Sequence, residues 1–186
     1  MSEIKLILLD FDGTLVDTRR ANALAYIATL EEVGIDISEQ EYLSRYFGMR
    51  CMEFMRELGF EDEAEVERLR RRKIELYPNY FRYVELNEAL WHWCQMMRTM
   101  GAKVWIVSTG HIDNITNVMQ YLRLESGFDG LITGDDVDRP KPYPDAFQKV
   151  MECVGVLPEE TIIFEDSEIG LEAARRSGAS YVKITL

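Results

Sequence analysis

The chain has 186 residues, of which 47% are hydrophobic and 29% are charged. This composition is typical of a soluble globular protein that buries a sizeable core, and it excludes wholesale disorder. A net charge of −12 argues against a nucleic-acid partner, because binding the phosphate backbone needs a basic face. No apolar run approaches the roughly 20 residues of a membrane span.

Two observations bear on the cellular compartment. The start Met1-Ser2-Glu3 lacks the basic and small-residue features of a signal peptide. The three cysteines are widely separated, with neither metal-ligand nor redox spacing. We therefore expect a cytoplasmic protein with reduced thiols and no membrane partner.

The first predicted element is a buried strand that begins near Ile4 and leads into two carboxylates. Asp10 and Asp12 are one residue apart, so the alternation of a strand places them on the same side. Gly13 and Thr14 follow directly. An ordinary polar turn has a similar composition, so the pair carries weight only if later motifs join it.

From about Asp17 to about Glu85 the sequence has helical patterns and no convincing strand. An apolar stripe at helical spacing predicts the first helix, and its members are Ala21, Leu24, Ala25 and Ala28. Roughly seventy residues are too many for a connecting loop. We interpret residues 17–85 as a small inserted helical domain, the cap.

Later parts of the cap also have helix signals. Ser38 can cap a second helix, and a third is predicted from Glu63 towards Tyr77, where Pro78 ends it. The basic run Arg68–Lys73 is flanked by acidic residues, which predicts a solvated helix face with opposite charges at helical spacing.

Beyond the cap, apolar strands alternate with helices. The four predicted strands are Ala102–Val107, Gly130–Thr133, Thr161–Glu165 and Ser180–Thr185. They are almost continuously apolar, as expected for parallel strands that are covered on both faces. The pattern predicts an α/β protein with a doubly wound, Rossmann-like parallel sheet. Residues 1–16 and 86–186 would form this core.

Polar motifs follow the predicted strands, where doubly wound sheets place their ligands. Ser108 and Thr109 precede a glycine and a helix start, which can hold an oxyanion. Lys141 lies between two prolines on a stiff loop, and Glu165 with Asp166 ends another buried strand. Each motif alone fits a plain turn, a surface lysine or a helix start. Their joint occurrence indicates a single site.

This combination supplies what phosphoryl transfer needs. Mg²⁺ prefers oxygen ligands, and Asp10 and Asp166 are natural anionic ligands, with the main-chain carbonyl of Asp12 as a possible third. A carboxylate attacks a phosphate dianion only when that charge is neutralised. Mg²⁺ and Lys141 would do so, while Ser108 and Thr109 donate to the phosphoryl oxygens.

Through DFDGT at Asp10–Thr14, Ser108-Thr109, Lys141 and Glu165-Asp166, the chain resembles the haloacid dehalogenase-like hydrolase superfamily. It is similar to the branch with phosphoglycolate phosphatase and β-phosphoglucomutase, in which a helical cap follows the first motif. The resemblance covers nearly the whole chain. The motifs are specific for the superfamily and not for a substrate.

The resemblance implies a two-step phosphatase mechanism. Asp10 would attack phosphorus to give an aspartyl-phosphate, and Asp12 would protonate the leaving oxygen and then activate water. Asp10, Asp12 and Asp166 would hold Mg²⁺. Glu165 would either join the metal or orient a bound water.

Related activities remain as alternatives. An acid at Asp12 disfavours dehalogenation, and Lys73, the only cap lysine, lies in a charged run, which disfavours phosphonate cleavage. A phosphomutase of the β-phosphoglucomutase type uses the same core residues. A non-catalytic phosphate-binding or regulatory protein on this fold is the other alternative.

The expected function is therefore a Mg²⁺-dependent phosphatase for a small phosphorylated metabolite, such as a sugar phosphate. The expected state is a monomer or weak homodimer. Substrate contacts would come from the cap, and the candidates are Arg19, Arg45, Tyr46 and Arg50.

Overall fold

The computed structural model describes residues 3–124 and 126–186, and only the backbone of Asp135. The first two residues of the predicted core segment 1–16 lie outside this description. The chain divides into two compact units, one comprising Met1–Asp17 with Glu85–Leu186 and the other Thr18–Val84. We call them the core unit and the helical unit.

The core unit contains a five-stranded parallel sheet. The strands of the unit, in chain order and including a separate short pair formed by β2 and β3, are β1 (Leu6–Leu9), β2 (Val16–Asp17), β3 (Glu85–Leu86), β4 (Lys103–Val107), β5 (Gly130–Ile132), β6 (Thr161–Glu165) and β7 (Ser180–Lys183). The sheet order is β5-β4-β1-β6-β7, with β1 between β4 and β6. All five strands that the sequence predicts are confirmed, as is the doubly wound α/β fold.

One short strand pair escaped the sequence analysis. The strands β2 and β3 pair antiparallel, Val16 with Leu86 and Asp17 with Glu85, on either side of the helical unit in the sequence. Two-residue strands bury too few side chains to give a periodic signal, so only their pairing identifies them.

The helices are α1 (Arg19–Glu31), α2 (Glu39–Glu41), α3 (Cys51–Glu57), α4 (Glu63–Leu76), α5 (Glu88–Thr99), α6 (Ile112–Leu122), α7 (Asp145–Val154) and α8 (Glu168–Ser177). Capping residues mark two of these helix ends. Asn87 accepts the backbone N–H of Leu90 at the start of α5, and Gly178 ends α8 in the left-handed conformation that glycine tolerates. None of the helices within residues 3–124 and 126–186 has the length and apolar character needed to cross a lipid bilayer.

Helices cover the sheet on two faces. The helices α7 and α8 bury Phe147, Val150 and Ala174 against Leu8 and Ile163. Phe164 follows Ile163 in β6 and therefore points to the opposite face, where the Trp93 ring of α5 lies 5.3 Å from it. This sandwich fixes the carboxyl ends of β1, β4 and β6 against one another.

The prediction of strands covered on both faces is wrong for β7. All four of its residues are exposed. The strand lies at the edge of the sheet beside β6 and has no further strand on its other side in the described sheet. Its apolar run, which includes Tyr181 and Val182, therefore does not indicate burial.

The helical unit is organised around aromatic side chains. Tyr26 of α1 packs edge-on against Phe54 of α3 at 5.1 Å, and Tyr46 lies 4.7 Å from the same ring. The cap of the helix at Ser38 is confirmed, since its hydroxyl accepts the N–H of Glu41, but α2 then passes into a π-helical turn over Tyr42–Tyr46.

Two predictions for the helical unit need correction. Leu24 and Ala28 are only partly buried, and the buried face of α1 includes Ala23, Tyr26 and Leu30 instead. The predicted apolar stripe omits Tyr26, which belongs to the aromatic cluster. Packing against the other helices, rather than the apolar pattern alone, determines which face of α1 is buried.

The basic run on α4 is a solvated face only in part. Arg71 is exposed, Arg72 is half-buried, and both form ion pairs with acidic residues. Lys73, however, is only 1% exposed, donates to the side-chain oxygen of Asn22 at 2.6 Å and lies 3.7 Å from the Tyr77 ring centroid. It follows the buried Leu69 by one helical turn, which places it on the interior face.

The cysteines give a test of this packing. Burial raises the pKa of Cys94 on α5 to about 12, whereas Cys153 is exposed. At pH 8 only about one Cys94 thiol in 10⁴ is ionised, and the thiolate is the reactive form. We expect iodoacetamide to alkylate Cys153 in the native protein and Cys94 only in urea, as read by peptide mass spectrometry. Equal native labelling of the two would contradict the buried position.

Candidate active site

The predicted motifs meet at the carboxyl edge of the sheet. Asp10 follows β1, Glu165 is the last residue of β6, and Lys141 lies on the loop between β5 and α7. The backbone N–H of Asp10 donates to the carbonyl of Phe164 at 3.0 Å, which continues the pairing of β1 with β6 beyond the strand end. Residues more than 130 positions apart in the sequence thus become neighbours.

Lys141 connects three strand ends. Its ammonium donates to Asp10 Oδ1 at 2.7 Å, to Glu165 Oε1 at 2.5 Å and to the carbonyl oxygen of Val107 at 3.0 Å. The residue is only 7% exposed. The three acceptors use all three ammonium protons, so the charge is held in one position.

The charges of this group are strongly coupled. Burial raises the pKa of Asp10 well above its ordinary value, and Lys141 opposes that rise. Burial lowers the pKa of Lys141, but the carboxylates of Asp10 and Glu165 more than offset this effect, so its pKa is raised. Lys141 therefore stays cationic at neutral pH.

Asp166 lies beside the first motif. Its Oδ1 accepts the Thr14 hydroxyl at 3.0 Å, and a side chain at Gly13 would overlap its carboxylate. Gly13 also has a φ of +96°, which L side chains rarely adopt. Both features explain why a glycine stands in this turn. Burial raises the pKa of Asp166.

Three carboxylates converge in a way that fits a divalent cation. Asp10, Glu165 and Asp166 each offer an oxygen within 4.8 Å of the others. An all-oxygen, anionic donor set suits Mg²⁺ or a similar hard cation. Among the described residues, the Asp12 side chain is not part of this group. A carbonyl ligand from Asp12 stays a prediction.

Asp12 and Ser108 lie close to Gly110. A Cβ built on Gly110 would be 3.1 Å from Asp12 Oδ2 and 3.2 Å from Ser108 Oγ. The Ser108 oxygen accepts the Gly110 N–H at 3.0 Å, which leaves its hydroxyl proton to donate elsewhere. Thr109, between them, is partly buried. The structure thus brings the second acid and the hydroxyl motif together.

The cap candidates separate into distinct environments. Arg45 forms an ion pair with Glu57 at 3.0 Å, and Tyr46 is buried in the aromatic cluster. Arg50 is exposed and directly precedes α3, while Arg19 is the first residue of α1. Arg45 and Arg50 are thus both exposed, but the Arg45 side chain is engaged by Glu57, and Tyr46 is buried.

Sequence reasoning missed several residues that shape the site. The Val107 carbonyl holds Lys141, Ser167 donates to Glu165, and Gly170 leaves room for that carboxylate. Ser167 has a sequence signal, since a serine directly ahead of a helical run indicates an N-cap. A backbone carbonyl has none.

Comparison with known proteins agrees with the geometry. The family model of haloacid dehalogenase-like hydrolases matches residues 7–184. A phosphoglycolate phosphatase of Aquifex aeolicus is 29% identical over 179 residues, covering 94% of this chain and 82% of that protein. The pyrophosphatase PpaX of Bacillus cereus is 24% identical over 184 residues, covering 98% of this chain and 84% of that protein.

The fold is also that of solved structures. CbbY from Rhodobacter sphaeroides, crystallised in complex with phosphate, matches with a TM-score of 0.87 at 22% identity, covering 98% of this chain and 87% of that chain. The family model spans almost the entire chain and coincides with the motifs that meet at the sheet edge. The chain therefore belongs to the family of haloacid dehalogenase-like hydrolases.

Proposed function

We propose that the protein is a Mg²⁺-dependent phosphatase that hydrolyses a small phosphomonoester through an aspartyl-phosphate on Asp10. The observation that carries this proposal is the buried Asp10 carboxylate, held 2.7 Å from a fixed ammonium beside two further carboxylates. The phosphatase relatives support the same reaction class.

In the first step, a carboxylate oxygen of Asp10 attacks phosphorus, and the bond from phosphorus to the ester oxygen breaks. The leaving oxygen takes a proton from Asp12. Lys141 offsets negative charge at the reacting centre without reorganising, because its position is already fixed by three acceptors. Ser108 and Thr109 supply donors for the phosphoryl oxygens.

In the second step, Asp12 takes a proton from water as the water oxygen attacks phosphorus, which releases Asp10 and inorganic phosphate. Asp12 is only partly buried, unlike Asp10, which leaves its side chain accessible to water.

We propose Asp10, Asp166 and the Asp12 carbonyl as the metal ligands. Glu165 is the weaker candidate because both of its oxygens have partners, Lys141 on one and Ser167 on the other. When bound, Mg²⁺ supplies charge neutralisation for the phosphoryl group.

The test is release of p-nitrophenol from p-nitrophenyl phosphate, followed by a panel of phosphorylated metabolites with phosphate release as the readout. Turnover with Mg²⁺ and none with EDTA is expected. Interconversion of sugar phosphates without release of phosphate would instead identify a phosphomutase. Absence of both activities in well-folded protein would contradict the proposal.

The metal requirement should depend on pH. Burial raises the pKa values of Asp10 and Asp166, and a protonated carboxyl does not ligate a cation. As pH falls from 7.5 to 5.5, we expect the Mg²⁺ concentration for half-maximal rate to rise by about 3- to 10-fold. Titrations of Mg²⁺ at the two pH values measure this, and equal midpoints would contradict it.

We further propose that the helical unit acts as the cap that selects the substrate, with Arg50 as a binding residue. Arg50→Ala should raise KM for the best phosphometabolite by about 10-fold through loss of a charge-assisted contact. Turnover of p-nitrophenyl phosphate, whose distal nitro group carries no net charge, should change little. Arg45→Ala is the matched control, since Glu57 already holds that side chain. Equal effects of both variants would argue against Arg50.

A further inference from the structure

One hydroxyl at the start of α8 serves both the helix and the site. The N–H and the Oγ of Ser167 donate to Glu165 Oε2 at 2.9 Å and 3.0 Å. The same Oγ accepts the N–H of Gly170 at 3.1 Å and so caps α8. Because a carboxylate can only accept, the Ser167 hydroxyl proton is directed to Glu165, while a lone pair of the same oxygen accepts from the helix.

Gly170 contributes space to the same arrangement. It is buried inside α8, where glycine is a poor helix former. A Cβ at this position would overlap the carboxylate of Glu165. The helix backbone thus lies directly against the carboxylate, which an alanine would displace.

These contacts form a continuous chain. Ser167 and Gly170 hold Glu165, and Glu165 Oε1 accepts the ammonium of Lys141, which in turn donates to Asp10. Glu165 and Lys141 are both almost fully buried. A shift of the Glu165 carboxylate would therefore shift the ammonium that lies beside the attacking group.

We propose that Ser167 and Gly170 are positioning residues that act through Glu165 to hold Lys141 beside Asp10. The catalytic consequence rests on the proposed phosphatase function, whereas the positioning itself is a structural property. Neither residue is assigned a contact with substrate. Their effect should fall on the rate of the chemical step, since Lys141 offsets the charge that develops there.

Three variants test the proposal. Ser167→Ala removes the hydroxyl but keeps the backbone donor, Gly170→Ala displaces the carboxylate but keeps the helix cap, and Ser167→Thr keeps both hydroxyl contacts. Ser38→Ala is the matched control, because Ser38 is also an N-cap serine but is exposed on the helical unit.

The readouts are kcat, KM and thermal unfolding with p-nitrophenyl phosphate as substrate, together with crystal structures of the two alanine variants. We expect Ser167→Ala and Gly170→Ala each to lower kcat by about 10- to 100-fold, the rate equivalent of hydrogen bonds to a charged group. KM should change by less than about three-fold, and Ser167→Thr should restore kcat. In both crystal structures the Glu165 carboxylate should have moved from Lys141.

A capping role alone predicts a different result. If Ser167→Ala lost only stability, with kcat equal to that of Ser38→Ala and with the Lys141–Glu165 contact intact, the proposal would be overturned. Failure of the phosphatase proposal is distinguishable, because wild type would then also lack turnover. In that event, the position of Glu165 in the variant structures still decides the positioning role.

Discussion

Replacing Asp10 with Asn is expected to lower phosphatase turnover by about 10⁴-fold or more, because it removes the proposed nucleophile and leaves a neutral amide. The fold should persist, since asparagine has nearly the same shape and Lys141 keeps Glu165 and the Val107 carbonyl as acceptors. Steady-state kinetics with p-nitrophenyl phosphate and circular dichroism measure the two effects.

Asp138→Asn is a suitable control for this substitution. Asp138 is an exposed aspartate on the same unit, on the loop that leads to Lys141. We expect it to have wild-type kcat. Undiminished turnover in Asp10→Asn would show that another group attacks phosphorus.

The second large effect is expected at Lys141. Lys141→Met leaves Asp10 and Glu165 as two buried carboxylates at one strand edge with no cation between them. Removing one partner of a buried ion pair lowers the free energy of unfolding by about 3–5 kcal/mol, because the other charge is left uncompensated. We expect the free energy of unfolding, measured in urea at pH 7.5, to fall by about this amount, and turnover to be lost.

The pH dependence of this variant follows from the pKa of Asp10, which Lys141 lowers against the effect of burial. Without Lys141, the folded protein holds the Asp10 proton more tightly than the unfolded chain does. Stability should therefore rise as pH falls towards 5, and decrease as pH rises. A stability deficit that is independent of pH would contradict this account.

The double variant Lys141→Met with Glu165→Gln separates stability from activity. One buried carboxylate is neutralised, so part of the lost stability should return. Turnover should not return, because the ammonium beside Asp10 is still missing. Recovery of activity together with stability would mean that Lys141 acts only through folding.

Much of this protein follows from its sequence alone. Apolar runs predicted all five strands of the main sheet, because helices cover most strands of a parallel sheet, although the edge strand β7 is exposed. Polar motifs at the ends of these runs predicted that Asp10, Lys141 and Asp166 share one edge, since the carboxyl ends of parallel strands coincide. The helix start at Ser38 also agrees with the prediction, because a serine N-cap is a local backbone contact.

Tertiary structure decided the remainder. The burial of Lys73 and the exposure of β7 contradict the local sequence pattern, because burial depends on which element lies alongside. The partners of Lys141 include a backbone carbonyl, and every residue carries one, so no sequence pattern could select Val107. The sequence by itself determined the chemical groups and the strand ends at which they meet. The packing of α8 against β6 decided how those groups are oriented, because orientation arises from contacts between residues that are distant in the chain.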